Sequence, residues 1–251
     1  MNAGKQERER AGVAFALVVT TFLAFALWPS VAQMIHAPSA QALFLAVEFV
    51  ASVGAAMLVP ALVGVGAAIF VSEFCAPRVR SVLAAVIECL VVVPGIVYAW
   101  GFSGTSASLP EASFVRHHVR TLVVIFGVSA PMVALLTLHI LRSVPVRLRD
   151  AAVALGATHG EVFASVVLPI AGRAIVGACA FGLVRALGET TALLVVSNED
   201  SPVRAFGSAI WGGELNVGYR ASAHVALLTV TGLASVFAFR LVRRRVAMEE
   251  T

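Results

Sequence analysis

The chain has 251 residues, 59% of them apolar and only 13% charged, with a net charge of +4. Soluble domains are nearer half apolar and a quarter charged, so this balance excludes a disordered chain and argues against an ordinary soluble enzyme. The basic excess is small and scattered, forming no stripe for nucleic acid, and Cys75, Cys89 and Cys179 are too few to build a disulfide framework.

Six apolar segments are predicted to cross a membrane as helices, giving an all-α polytopic protein with a single transmembrane domain over residues 1–251. They are residues 11–28, 49–71, 81–101, 121–141, 174–197 and 221–239. Each is long enough to cross about 30 Å of hydrocarbon at roughly 1.5 Å per residue. Long runs rich in Ala and Leu differ from the short alternating segments of a membrane barrel. The first run follows a charged start and precedes a small-x-small site at Ser30-Val31-Ala32, as a secretory signal would. Its 18 residues exceed the usual signal core, and Trp28-Pro29 suits an interfacial anchor, so it is predicted as a span.

Basic residues set the orientation. With the N-terminus inside, the inner segments hold Lys5, Arg8, Arg10, Arg78, Arg80, Arg142, Arg147, Arg149, Arg173, Arg240, Arg243, Arg244 and Arg245. The outer segments hold only Arg116, Arg120, Arg204 and Arg220. The positive-inside rule then predicts both termini in the cytoplasm.

The inner loop 142–173 is long and patterned. Pro145 suits a helix start, an Ala-rich stretch follows, and Gly156 fits the left-handed position that ends a helix. Thr158-His159-Gly160-Glu161 matches a capping box, and Val162, Phe163, Val166 and Val167 lie at helical spacing. Leu168-Pro169 is predicted to stop this second short helix. Two readings follow: an amphipathic hairpin lying on the lipid or under the bundle, or a docking element for a cytoplasmic partner.

Asp150-Ala151-Ala152, three positions, Gly156, nine positions and Val166-Val167-Leu168-Pro169 resemble the EAA motif of ABC importer permeases. Asp150 stands where the motif usually has glutamate, and Val166 where it has isoleucine. The resemblance implies a permease of the MetI-like type, in a bacterial cytoplasmic (inner) membrane. It implies that the loop, through Asp150, Ala151, Ala152, Gly156, Leu168 and Pro169, docks on a cytoplasmic ATP-binding cassette ATPase dimer and couples it to the spans. Segments 66–74 and 88–98, with Arg185-Ala186-Leu187-Gly188-Glu189-Thr190, look like spans of the phosphate-specific transport permease subunits. Cys75-Ala76-Pro77-Arg78 and Ile87-Glu88 resemble the C-type subunit more than the A-type. The resemblance implies a second permease subunit, in a heterodimer or homodimer, and an extracytoplasmic phosphate-binding protein. Sulfate and molybdate permeases share the Ala-Leu-Gly-Glu segment.

Charges inside spans are costly and need a partner or water. Arg185 and Glu189 lie one turn apart on one face. Arg185 either attracts an oxyanion, for which its planar donors are suited, with Glu189 holding or opposing it, or the two form a salt bridge that lets the helix insert. Glu88 either faces the pathway, pairs with Arg185, or meets the interface. Thr190 offers a hydroxyl to an anion or to its own helix. Pro94-Gly95 either kinks or breaks its helix; a plain kink is predicted there, at Pro60 and at Pro131. No P-loop, Ser/His/Asp or zinc-protease pattern occurs, so neither an enzyme nor a cofactor or metal is predicted. The expected function is a phosphate permease subunit in an ATP-driven importer. The alternatives are a permease for sulfate, molybdate or tungstate, an ion-coupled secondary transporter, and a membrane scaffold.

Overall fold

The computed structural model describes residues 40–105 and 114–196, with single positions at 204, 208, 229, 231–233, 235 and 236. The predicted span 11–28 and most of the predicted span 221–239 lie outside the described residues. The structured order is α1 (Ala40–Ala56), α2 (Leu58–Ile69) with a π-helical turn (Phe70–Phe74), α3 (Pro77–Val92), α4 (Gly95–Thr105) and α5 (Phe114–Arg142). Then come α6 (Val146–Ala154), α7 (His159–Val162), a second π-helical turn (Phe163–Val167), α8 (Leu168–Leu187) and α9 (Thr190–Val196). Among the described residues there is no strand.

Among the described residues, three continuous helical stretches are long and apolar enough to cross a membrane: Ala46–Phe74, Val119–Arg142 and His159–Leu187. Also among the described residues, Pro77–Val92 and Gly95–Gly101 together could form a fourth, broken crossing, meeting at 91°. Helix α5 is the hub, packing against α2, α3, α4 and α8. It buries Val124, Ile125, Val133, Leu138 and Leu141. Close helix approach replaces bulk: a Cβ on Gly64 would come 2.7 Å from the Ala130 carbonyl oxygen of α5, and one on Gly182 would come 2.6 Å from Met57 Cε. Small residues at crossings are how helices associate in lipid, where apolar surface gains little from meeting other apolar surface. The outer faces of α2 and α3 carry Leu62, Phe74, Val82 and Val86, all exposed.

Three sequence expectations need correction. The predicted span 81–101 is broken, not merely kinked, at Val93-Pro94. The predicted span 174–197 is not one helix: α8 ends at Leu187, Gly188 and Glu189 intervene, and α9 starts at Thr190. Leu168-Pro169 does not stop the second loop helix, because helix runs through from His159 to Leu187. The connection predicted over 142–173 is correspondingly shorter. The second π-helical turn ends just before Pro169 and supplies the reason. A proline lacks the N–H for an i−4 bond and clashes with that carbonyl; one wider turn ahead of it lets the helix pass.

Candidate functional site

Two helix breaks meet. The first is in the predicted span 81–101. Pro94 has no N–H, which strands the Leu90 carbonyl four residues back. Tyr98 answers it from the next helix: its hydroxyl donates to the Leu90 oxygen at 3.2 Å, and the Val93 N–H donates to the same atom at 3.3 Å. The Tyr98 ring lies over Gly127 of α5, where an added Cβ would be 2.7 Å from ring carbon Cδ1. Helix α4 therefore starts at Gly95, inside the bundle, with its positive end turned inward.

The second break, Gly188-Glu189, faces the first. The Glu189 carboxylate lies against Gly95, so closely that a Cβ there would sit 2.7 Å from its Cδ carbon. Any side chain at this position would oblige the Glu189 carboxylate to shift. Arg185 Nη1 donates to Glu189 Oε1, one helical turn away. The two side chains are 30% and 18% exposed, so the pair is only partly in solvent. Glu189 thus sits between a guanidinium and a helix N-terminus, two sources of positive potential. Thr190, the first residue of α9, is buried beside it.

Glu88 is not in this cluster. It is exposed on α3, and Arg185 pairs with Glu189 instead, so the Glu88–Arg185 pairing is not made. An exposed carboxylate on an apolar helix still needs a polar surrounding in a membrane. Gly95 and Tyr98 were legible in the sequence only as the neighbours of a proline. Their roles depend on contacts with Glu189 and Gly127, which no local pattern encodes.

In the predicted docking loop, Asp150 and Ala151 are exposed on α6 and Ala152 is half-buried. Helix α6 ends in a Schellman motif: Gly156 N–H donates to Val153 O at 2.9 Å and Ala157 N–H to Ala152 O at 3.1 Å. Gly156 has φ +89°, the left-handed value expected from the sequence. Thr158 and Glu161 form the predicted capping box, with Thr158 N–H donating to Glu161 Oε2 at 2.8 Å. Leu168 and Pro169 are exposed on the continuous helix beyond. Between Val146 and Leu155 the exposed surface mixes apolar Val146, Leu148, Val153 and Leu155 with the charges of Arg147 and Asp150.

The family of binding-protein-dependent transport system inner membrane components matches residues 62–248. Among curated proteins, the chain is 29% identical over 163 residues to the phosphate transport system permease protein PstC of Mycobacterium leprae, covering 56% of this chain and 51% of that one. It is 30% identical over 185 residues to PstC 1 of Mycobacterium tuberculosis, covering 62% and 53% respectively. It is 30% identical over 173 residues to the probable ABC transporter permease protein YqgH of Bacillus subtilis, covering 64% and 55%. The chain thus spans about half the length of the curated relatives it matches. Among solved structures, inward-facing conformations of the MetNI methionine ABC transporter align with TM-score 0.64 at 18% identity, over 82% of this chain and 99% of that one. That likeness concerns the fold alone. With the matched segment running from α2 past α9 and a helical membrane fold around it, the chain belongs to the family of inner membrane components of binding-protein-dependent transport systems.

Proposed function

We propose that this chain is a membrane permease subunit of an ATP-driven ABC importer and forms part of the translocation pathway for inorganic phosphate. The observation that carries the reading is the Arg185–Glu189 pair set against the N-terminus of α4 at a double helix break. Broken helices inside a membrane expose backbone donors and acceptors where a polar solute must pass. The guanidinium matches the oxygens of a tetrahedral anion, and Glu189 already occupies the place that such an anion would contest. The sequence likeness to the PstC proteins supports phosphate over other oxyanions.

In this reading a second permease subunit completes the pathway, as a heterodimer or a homodimer. An ATP-binding cassette ATPase dimer docks on α6 from the cytoplasm, and an extracytoplasmic phosphate-binding protein delivers the anion. The exposed Asp150 and Ala151, with the Gly156 turn, supply the docking surface. In this reading six spans put both termini on one side, and the basic count makes that side the cytoplasm of a bacterial cell. Cysteine labelling checks this: position 158 should react from the inside and position 106 from the outside. Labelling of both from one side rejects the topology.

The substrate test is uptake into proteoliposomes holding the permease pair, ATPase and binding protein. Phosphate should accumulate on ATP addition, and a tenfold excess (~10-fold, about 1.4 kcal/mol of discrimination) of sulfate or molybdate should not suppress it. Suppression by either would assign the pathway to that anion instead. ATP-independent uptake would point to an ion-coupled transporter.

A further inference from the structure

Helix α6 buries none of its nine side chains. Apolar packing therefore holds it to the bundle only weakly, yet a docking helix must pass on a push. One residue ties it down. Arg149, next to Asp150, turns away from the exposed face. Its Nη1 donates to both carboxylate oxygens of Glu73, at 3.0 and 3.1 Å, and its Nη2 donates to the Leu141 carbonyl at 2.9 Å. The side chains of Arg149 and Glu73 are 23% and 20% exposed, largely withdrawn from solvent. Glu73 is itself steadied by the Ser72 hydroxyl, which donates to it at 3.0 Å.

The three groups come from three elements. Glu73 lies in the π-helical turn that ends the α2 stretch. Leu141 lies in the last turn of α5, whose carbonyls have no intrahelical donors and whose negative end favours a cation. A neighbouring arginine fixes the same turn from the other side: Arg80 Nε donates to Val71 O and its Nη2 to Cys75 O, both at 3.2 Å. The turn is thus held by both Arg80 and Arg149, and the Arg149 fork spans from it to α5, Nη1 on Glu73 and Nη2 on Leu141, a reach lysine lacks. Single π-helical turns recur where helices must adjust during function.

We propose that Arg149 is a positioning residue that pins the docking helix to the inner ends of α2 and α5, so that displacement of α6 moves both long helices together. The proposal rests on the reading of α6 as the ATPase-docking helix. Arg149 touches neither anion nor nucleotide in this scheme; it acts through Glu73 and Leu141.

The test uses the assembled complex in proteoliposomes, with Arg149→Gln, Glu73→Gln, Arg149→Lys and the Arg149→Gln/Glu73→Gln pair. Two quantities are read: phosphate taken up per ATP hydrolysed, and amide hydrogen exchange across residues 146–155. Arg149→Gln should lower the uptake-to-ATP ratio severalfold while the ATPase still co-purifies. Exchange in α6 should rise at least about tenfold, the factor for a single charge-assisted hydrogen bond at the low end of its range, since Arg149→Gln removes the bonds to both Glu73 and Leu141, while residues 168–187 stay protected. Glu73→Gln should do the same, and the double variant should be no worse than either single one, because the pair acts as a unit. Arg149→Lys should recover part of the ratio. A residue serving stability alone would lower the yield of complex and leave the ratio of the surviving complex untouched, and that result overturns the proposal. An unchanged exchange rate in α6 overturns it as well, whatever the substrate proves to be. Should Arg149→Gln fail to assemble, Arg149→Lys and Glu73→Gln answer the same question. Absence of phosphate uptake in the unaltered complex would count against the transport reading, and the exchange measurement would still decide the pinning.

Discussion

Arg185→Gln is expected to abolish phosphate uptake while the chain still inserts and assembles. The guanidinium is not deprotonated in proteins, so its charge must be balanced in every state of the transport cycle. In the structure Glu189 balances it. Glu189 in turn has a second source of positive potential, the N-terminus of α4 at Gly95, against which its carboxylate is packed. The two residues are therefore unequal. Removing Arg185 leaves Glu189 beside the helix end; removing Glu189 leaves Arg185 without its carboxylate in a partly buried setting. A pair this sheltered should cost at least about 2 kcal/mol when broken, a factor of about thirty. If Arg185 serves the anion, Arg185→Gln with Glu189→Gln stays inactive, because no cation remains to receive phosphate. If Arg185 serves only Glu189, the double variant regains transport, since neither charge is then stranded. Uptake by the double variant in an assembled complex decides, and rescue rejects the pathway role.

The elements that could be read from sequence are those whose cause is local. Pro145, the Ala-rich stretch, Gly156 and the Thr158–Glu161 box each act within one or two turns, and the structure places a helix, a left-handed turn and a capping box there. Proline behaves differently at its three interior positions, and this the sequence does not encode. Pro60 lies inside the continuous stretch Ala46–Phe74, in the first turn of α2 just past the interruption at Met57, so the helix carries on through it. Pro131 lies inside α5, which continues through it, clamped where Gly64 meets the Ala130 carbonyl. Pro94 breaks its helix because Tyr98 takes the stranded Leu90 carbonyl and α4 turns away. The same residue type sits in an early turn, in a continuous helix and at a 91° corner, according to its place in the helix, the nearby Tyr98 hydroxyl or the distant Gly64. The bond between Arg149 and Glu73 is of this kind too, spanning 76 positions. Both arginine and glutamate were visible in the chain, Arg149 only as one of the inner basic residues. Their pairing required the inner ends of α2 and α5 to lie side by side, which no periodicity states.

Gly156→Pro is expected to uncouple transport from ATP hydrolysis without harming insertion. At φ +89° this residue occupies a region that proline, locked near −65°, does not enter. Proline also removes the N–H that bonds the Val153 carbonyl at 2.9 Å, so half of the Schellman motif goes with it. Helix α6 would then end elsewhere, and the angle between α6 and the long helix starting at His159 would change. Space is no obstacle, since a Cβ on Gly156 would meet nothing within 4 Å. Gly156→Ala therefore isolates the backbone cost: about 1–2 kcal/mol for a left-handed alanine, with the N–H retained. Alanine should weaken coupling modestly, and proline should eliminate it. Asp150→Lys, which reverses the charge on the exposed face of α6 and leaves its backbone alone, should impair ATPase docking by a separate route. The measurement is substrate-stimulated ATP hydrolysis beside phosphate uptake, in complexes matched for permease content. Full transport in both Gly156→Pro and Asp150→Lys would reject α6 as the docking helix. Loss in the proline variant with near-normal alanine would locate the requirement in the left-handed turn itself, because only the backbone conformation and its one donor separate the two.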